Sequence, residues 1–422
     1  MVADTVIKNI GQLVTMAGPS RARTKKDIEQ FEVIHNGCIV IQGEKIAAVG
    51  TEDILKDFEI DRAEIIDACG NLVTPGLIDP HVHLVFDGWR QEDLALKLQG
   101  LGYMEIAARG GNDILVNNTR EASEERLKKV VSKTLDRMVE NGTTTAEAKS
   151  GRGLTVESEL KQLRVIKELN KTHVIDLVPT FLGAHYVPKE YAENQEAYVD
   201  LVINEMMPLV EKEGLAEFCD VWCEIGEFTV EESRRVLEAG KKHGMLPRIH
   251  ADELASTGGA ELAAEVGAIS AEHLLRISDE GIKAMAEAGV IANLLPGTPF
   301  YLMMDQYAPV RKMLDAGVPV ALATDFNPNT SPTESMQPIM NLASIEMRMT
   351  AREIMTAVTI NAAYSVNRGD TIGSLEVGKL ADIVVWDAPD IEFLMYHFGV
   401  NLAEKVFKRG KLVASHGTLL SK

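Results

Sequence analysis

The stretch TPGLIDPHVHL (residues 74–84) decides how the whole chain reads. A short apolar run, Leu77 and Ile78, leads into two histidines, His81 and His83, with one residue between them. On an extended backbone alternate side chains share a face, so both imidazoles point the same way and can grip one ion. A lone pair of this kind has many innocent explanations, because histidines are common in cores and on surfaces. It becomes informative only if other strands of the chain end in the same manner.

Working outward, the region from Thr74 to about Asn367 alternates β-branched or apolar runs with helical stretches such as SEERLKKVVSKTLDRMVENG and TVEESRRVLEAGKKHG. The strand candidates are LIDPHVHL, TTTAEAKS, IDLVPTFLGAH, CDVWCEI, LPRIHAD, AISAEHL, VIANLLPG and VPVALATDF. Eight βα units over roughly 290 residues predict an α/β fold, a (β/α)8 TIM barrel, whose active site lies at the C-terminal strand ends. Polar residues fall there: the HVH pair, Glu147 and Lys149, His185, Glu224, His250, His273 and Asp325. Their convergence on one face predicts a site. Both chain ends, by contrast, read as short strands around Gly-bearing turns, for example CIVIQGEKIAAVG and KVFKRGKLVASHG. The expected organisation is a barrel at 74–367 and one small β-sandwich domain built from 1–73 and 368–422.

His250 in RIHADE and Asp325 in LATDFN add a third nitrogen and a carboxylate to His81 and His83, a set suited to Zn²⁺, Fe²⁺ or a similar divalent ion. Composition agrees with an ordinary globular protein, since 45% of the 422 residues are hydrophobic and 25% charged. A formal charge of −20 disfavours nucleic acid and anionic membranes as partners, and an anionic substrate then needs local cations. Cys38, Cys69, Cys219 and Cys223 are few for this length and fit a reducing compartment. In CDVWC the last two read as small buried side chains on one face of a strand. The chain start lacks a secretory pattern and no run approaches the length of a membrane span, so a cytoplasmic protein without membrane contact is expected.

With these residues in place, the chain resembles the amidohydrolase superfamily of metal-dependent barrel hydrolases, through TPGLIDPHVHL, the strand-end His250, the ATD at 323–325 and the closing TINAAYSVNRGDTIGSLEVGKLADIVVWD. Further blocks, among them NGTTTAEAKSG (141–151), FLGAH (181–185), HADE (250–253), ATDFNP (323–328) and SPTE (331–334), resemble the branch whose members open the ring of 4-imidazolone-5-propanoate to N-formimino-L-glutamate in histidine degradation. The resemblance implies one divalent metal, held by His81, His83, His250 and Asp325, with a bridging Lys149 carboxylate as the two-metal alternative. Glu253 is the first choice for the base that shuttles a proton from water to the leaving ring nitrogen, and His273 the second. His273 or His185 could instead orient the water or meet the oxyanion. A homodimer is the expected assembly.

The same resemblance implies that Arg90 binds the substrate carboxylate, that Tyr103 donates a hydroxyl and that Asn327 holds ring or carboxylate by its amide. Three departures from the family pattern stand near the expected pocket. SGYGL is SGRGL here, placing Arg152 where a tyrosine is expected; a glycine-rich turn reads RGGND, with Asn112; and DFNPGSSP reads DFNPNTSP, with Asn329 and Thr330. Their clustering suggests a ligand with an added acidic or carbonyl group within reach of Arg152. Competing readings are a deaminase of the same barrel class, distinguishable by ammonia release, and a non-catalytic barrel with a relic metal site, which would have no need of a base such as Glu253.

Overall fold

The structure, a computed structural model, describes residues 1–102, 105–106 and 110–420. Its strands are β1 (Thr5–Val14), β2 (Val33–Gln42), β3 (Lys45–Thr51), β4 (Glu64–Asp67), β5 (Leu72–Pro75), β6 (Leu77–Asp79), β7 (Thr143–Lys149), β8 (Asp176–Ala184), β9 (Phe218–Cys223), β10 (Leu246–Ala251), β11 (Ser270–His273), β12 (Ile291–Leu294), β13 (Val320–Leu322), β14 (Ile383–Trp386), β15 (Ala403–Lys408), β16 (Lys411–Ser415) and β17 (Thr418–Leu419). Strands β6 to β13 form one sheet in sequence order, every neighbouring pair parallel. Past the ends of β6 and β13 a parallel bridge between Val82 and Phe326 draws the ring together. There Asp325 N donates to His81 O at 3.1 Å and His83 N to Phe326 O at 3.0 Å. All eight strands expected from the sequence are present, and the chain is a (β/α)8 barrel.

The helices follow from local chemistry and from packing. Helix Glu124–Glu140 starts where Ser123 Oγ accepts from Arg126 N at 3.2 Å, with Glu124 and Glu125 in its first turn. The cap satisfies an amide that the helix cannot reach, and the acids complement the helix dipole. Leu127, Val131, Leu135 and Met138 fall on one stripe and are fully buried, each contributing about 1.5–3 kcal/mol by leaving water. Helix Val230–Lys242 opens with a capping box between Thr229 and Glu232. It runs so close to β9 that a Cβ on Gly240 would stand 2.6 Å from the Cβ of Cys219. Cys219 and Cys223 are buried free thiols, as their spacing suggested. The alternate residues of β9, Asp220 and Trp222, therefore face the barrel interior.

The two chain ends meet because β14 inserts beside β5, which lies beside β1, giving one sheet in the order β17-β16-β15-β14-β5-β1-β2-β3, with β4 also on β1. Period-two alternation supplies two cores: Ile7, Ile39 and Ile41 pack with Val73, Ile383, Val385 and Phe407, whereas Val6 and Val40 pack with Cys38 and Ala48. The first cluster draws on both halves of the sheet, which close over it as a small β-sandwich. Strand β5 crosses the break expected after residue 73, and part of the N-terminal stretch lies on the barrel itself, where Arg23 N donates to Asn361 Oδ1 at 2.7 Å. Lys408 and Arg409 reach Asp176 at the start of β8, at 2.8 and 3.1 Å. Those contacts hold the β domain at a strand start, away from the C-terminal ends where the site forms. Among the described residues no helix is long and apolar enough to cross a membrane.

Candidate active site and metal centre

At the C-terminal strand ends His81, His83 and His250 offer ligand atoms within 4.8 Å of one another, as do His81, His273 and Asp325. Asp325 Oδ1 stands 3.4 Å from His81 Nε2 and 3.5 Å from His83 Nε2, and the Nε2 atoms of His83 and His250 are 3.3 Å apart. The tautomers of His81 and His250 are set from behind. His81 Nδ1 donates to Glu272 Oε2 at 2.9 Å, and His250 Nδ1 to Asp220 Oδ1 at 3.1 Å. Because a carboxylate only accepts, the Nε2 atoms carry lone pairs that converge on an ionised oxygen. His81 Nε2 and Asp325 Oδ1 are buried without a hydrogen-bond partner. Acceptors facing acceptors in a dry site repel unless a cation stands among them, and an N,O donor set of this kind suits a borderline divalent ion.

Electrostatics favour the same state. Burial, helped by Lys149 for His81 and by Arg152 for His83, pushes both imidazoles well below their ordinary range, so they are neutral and able to ligate. Burial also raises Asp325 to about 6. Its Oδ2 accepts from Thr298 Oγ1 at 2.5 Å and Thr330 Oγ1 at 3.3 Å, which aims Oδ1 inward. Asp252, His273, Leu274 and Asp325 all adopt positive φ, between 50° and 71°. Such backbone costs of the order of 1–3 kcal/mol per residue, and here it gathers at the strand ends.

Beneath the histidines lies an ionic layer of which sequence reasoning named Glu147 and Lys149 and missed Asp220, Arg248 and Glu272. Lys149 Nζ donates to Glu147 at 3.0 Å and to Asp220 at 2.9 Å, with all three fully buried. Arg248 Nε donates to Glu272 Oε1 at 3.2 Å, Asn293 Nδ2 donates to its Oε2 at 2.8 Å, and Ser270 Oγ to its Oε1 at 2.5 Å. Burial alone would raise Asp220, but His250, Lys149 and Arg248 outweigh it and hold that carboxyl far below the usual range. Asp79, raised to about 7 by burial, accepts from Thr324 N and Oγ1 and pins the residue that precedes Asp325. The available signal was alternation: Asp220 shares a face with Trp222, Arg248 with His250, and Ser270 with Glu272.

Above the ligands opens a small cavity of about 30 Å³. Glu253 lies on its wall, its Oε2 accepting from Trp222 Nε1 at 3.1 Å and its Oε1 3.6 Å from His273 Nδ1. Burial, then Asp325 and Glu224, pushes the Glu253 carboxyl well above the ordinary range. His185 donates from Nδ1 to Gly151 O at 2.9 Å and is held neutral by burial, so its Nε2 is an acceptor. That suits a substrate N–H better than an oxyanion, which needs a donor.

Of the residues expected to bind substrate, Arg152, His185, Asn327, Asn329 and Thr330 line the cavity, and Arg90 does not. Arg90 pairs with Asp93 at 2.5 Å. Tyr103 lies outside the described residues. Asn327 uses both amide hydrogens on Asp325 O and Thr330 Oγ1, and its carbonyl accepts from the backbone of Asn329 and Thr330. It holds the loop that carries Asp325 while lining the cavity. Two of the departures explain one another, because Asn329 Nδ2 donates to Asn112 Oδ1 at 3.0 Å. Lys149 is engaged with two carboxylates, Glu147 and Asp220.

The amidohydrolase family pattern matches residues 72–413. An imidazolonepropionase of Alkaliphilus metalliredigens (strain QYMF) is 53% identical over the full length of both chains. One of Geobacillus sp. (strain WCH70) is 52% identical, with 98% of each chain covered. Among solved structures, a zinc complex of atrazine chlorohydrolase from Arthrobacter aurescens TC1 shares the fold at TM-score 0.71 and 18% identity, covering 99% of this chain and 96% of the other. Guanine deaminase of E. coli does so at TM-score 0.69 and 16% identity, with 98% and 99% covered. The chain belongs to the amidohydrolase family and, within it, to the imidazolonepropionases.

Proposed function

We propose that this protein hydrolyses 4-imidazolone-5-propanoate to N-formimino-L-glutamate, opening the ring at its amide C–N bond. The observation that carries the reading is the inward-facing acceptor set of His81, His250 and Asp325 with Glu253 on the same cavity wall, in a chain about half identical to imidazolonepropionases along its whole length. A divalent ion in that set, zinc or iron, supplies Lewis acidity and brings hydroxide within reach near neutral pH. Lys149, neutralised by Glu147 and Asp220, supports one ion rather than two.

Glu253 takes a proton from the attacking water and delivers it to the ring nitrogen as the C–N bond breaks, so the ring carbonyl carbon becomes a carboxylate. Trp222 fixes one carboxyl oxygen of Glu253 and leaves the other for the proton. His185 Nε2 accepts a ring N–H and sets the plane of the heterocycle. His273, whose Nδ1 lies 3.6 Å from Glu253 Oε1, orients the water. A homodimer is the proposed assembly, on the strength of the family resemblance alone.

Purified protein loaded with zinc or iron and given imidazolonepropionate tests this directly. Formimino-glutamate should accumulate without ammonia. Ammonia in step with substrate loss would mean a deaminase, and no consumption would end the assignment.

A further inference from the structure

Among the polar residues expected at the strand ends, Glu224 has no part in the ion set, the ionic layer or the cavity wall. It directly follows β9 and is 3% exposed. Its Oε2 accepts from Glu253 N at 3.1 Å and from Leu254 N at 2.8 Å, while its Oε1 accepts from Ile225 N at 2.8 Å. Neither of the first two amides donates to a backbone carbonyl among the described residues. An amide withdrawn from water outside helix and sheet needs some acceptor, and a carboxylate makes the stronger, charge-assisted bond.

The segment held in this way carries the proton carrier. Between β10 and helix Gly259–Val266 the chain runs without regular structure and turns at Asp252, where φ is 50°. Such backbone persists only where its surroundings over-determine it. On one flank Asp252 braces the turn itself: its Oδ1 accepts from Thr257 N at 2.7 Å and Gly258 N at 3.2 Å, and its Oδ2 from Ala260 N at 3.2 Å. On the other flank the brace comes from β9 and is double. Glu224 grips the main chain of Glu253, and Trp222, two residues earlier, grips its carboxyl, with Nε1 donating to Oε2 at 3.1 Å. Cys223 and Ala251 are partners in the sheet, so these bonds join neighbouring strand ends. With stem and tip both held, the Glu253 carboxyl has little freedom to leave its place beside His273.

We propose that Glu224 is a positioning residue for the proton-transfer step: it sets where Glu253 stands and touches neither substrate nor ion. This rests on the role given to Glu253 above. Proton transfer needs the carboxyl within hydrogen-bond reach of the water and of the leaving nitrogen, and a displacement of about 1 Å can cost about 100-fold in rate. Loss of Glu224 therefore acts on kcat, through Glu253, and not on KM.

The test uses the metal-loaded protein, its E224M and E224Q variants, and the same two changes made in E253Q. E224M removes both accepting oxygens at similar length, and E224Q keeps one. On imidazolonepropionate kcat should fall by about 10- to 100-fold for E224M and by less for E224Q, with KM and ion content near those of the parent. In E253Q, which has already lost the carboxylate that Glu224 aims, E224M should lower kcat by no more than about twofold further. Hydrogen exchange followed by mass spectrometry reads the clamp without substrate. The amides of Glu253 and Leu254 should exchange about tenfold faster or more in E224M, with those of the β domain unchanged. Three results would overturn the proposal: an equal kcat loss with and without Glu253, a loss that follows falling ion content or rising KM, or unaltered exchange at these two amides. If E224M does not fold, E224Q decides on the same three readings. Should the parent fail to turn over imidazolonepropionate, the proposed function falls, and exchange at Glu253 and Leu254 still decides whether Glu224 holds that turn.

Discussion

The layer beneath His81 and His250 and the cavity wall above them are built from similar residue types, yet they are bonded in opposite ways. Below, Glu272 accepts from His81, Arg248, Asn293 and Ser270, and Lys149 sits between Glu147 and Asp220. Above, Arg152 Nε and Asn329 Oδ1 are buried with no hydrogen-bond partner, and His273 Nδ1 has only Glu253 Oε1 at 3.6 Å. Unmet polar atoms cost about 1–3 kcal/mol each, so a chain keeps them only where something else will meet them. The lower layer, where Arg248 Nη1 lacks a hydrogen bond but stands 3.3 Å from Glu147 Oε1, therefore reads as a support closed by its own charges and the wall as half of a contact. Substitutions below should change how tightly the ion is held, and substitutions above should change how substrate is held.

The sharpest way to break that division is to remove what lies between the two layers. Treatment with a strong chelator followed by desalting should bring turnover to the uncatalysed background, with recovery on adding Zn²⁺ or Fe²⁺. Elemental analysis of the stripped protein alongside the rate decides the matter: full activity in protein free of any ion would leave the histidine set without a purpose. Next in size is Glu253→Gln. It should lower kcat by about 10²- to 10⁴-fold, the usual contribution of a positioned proton carrier. Ion content should be unaltered, since Glu253 bonds Trp222 rather than a ligand. An equal loss in His273→Gln with Glu253→Gln still active would exchange their roles.

Much of this was legible in the sequence, and the reason is geometric. Strand ends can be read from where an apolar run stops, so the order of residues alone places His81, His83, His250, His273 and Asp325 on one rim. The small β domain was legible for a similar reason: alternation and glycine turns at both ends left few ways to bury two short sets of strands. What could not be read was direction within a strand. Cys219 and Cys223 stand out as the paired residues of CDVWC, whereas the chemistry belongs to the other face, where Asp220 orients His250 and Trp222 orients Glu253. Asn327 reads as a ligand-binding amide because it lies two residues from Asp325. Its hydrogen bonds within the loop are a three-dimensional fact that closeness in sequence does not reveal.

A smaller effect sharpens the lower half of the comparison. Asp220→Asn or Glu272→Gln keeps shape but removes the charge behind a ligating imidazole, and should weaken ion affinity by about 10- to 100-fold. Competition with a chromogenic chelator measures it. With ion in excess, KM for substrate should stay near that of the parent. A KM change at saturating ion would mean that the lower layer shapes the substrate pocket as well.

The smallest effect concerns the two departures that touch each other. Asn112 lies in helix Gly111–Glu121, and its Oδ1 accepts from Asn329 Nδ2 at 3.0 Å. That bond fixes which end of the Asn329 amide faces the cavity, leaving Oδ1 as the unpartnered acceptor. Asn112→Ala frees the amide to rotate, and the loss of one neutral hydrogen bond is about 0.5–1.5 kcal/mol. KM should rise by about 2- to 12-fold on that scale, with kcat and ion content little changed. The same substitution made in an Asn329→Ala background should do nothing further, because the two act through one bond, and steady-state kinetics on the four proteins of the cycle measures the difference. Full additivity would mean that Asn112 acts on the cavity by another route, and that the two departures arose beside each other without a shared purpose.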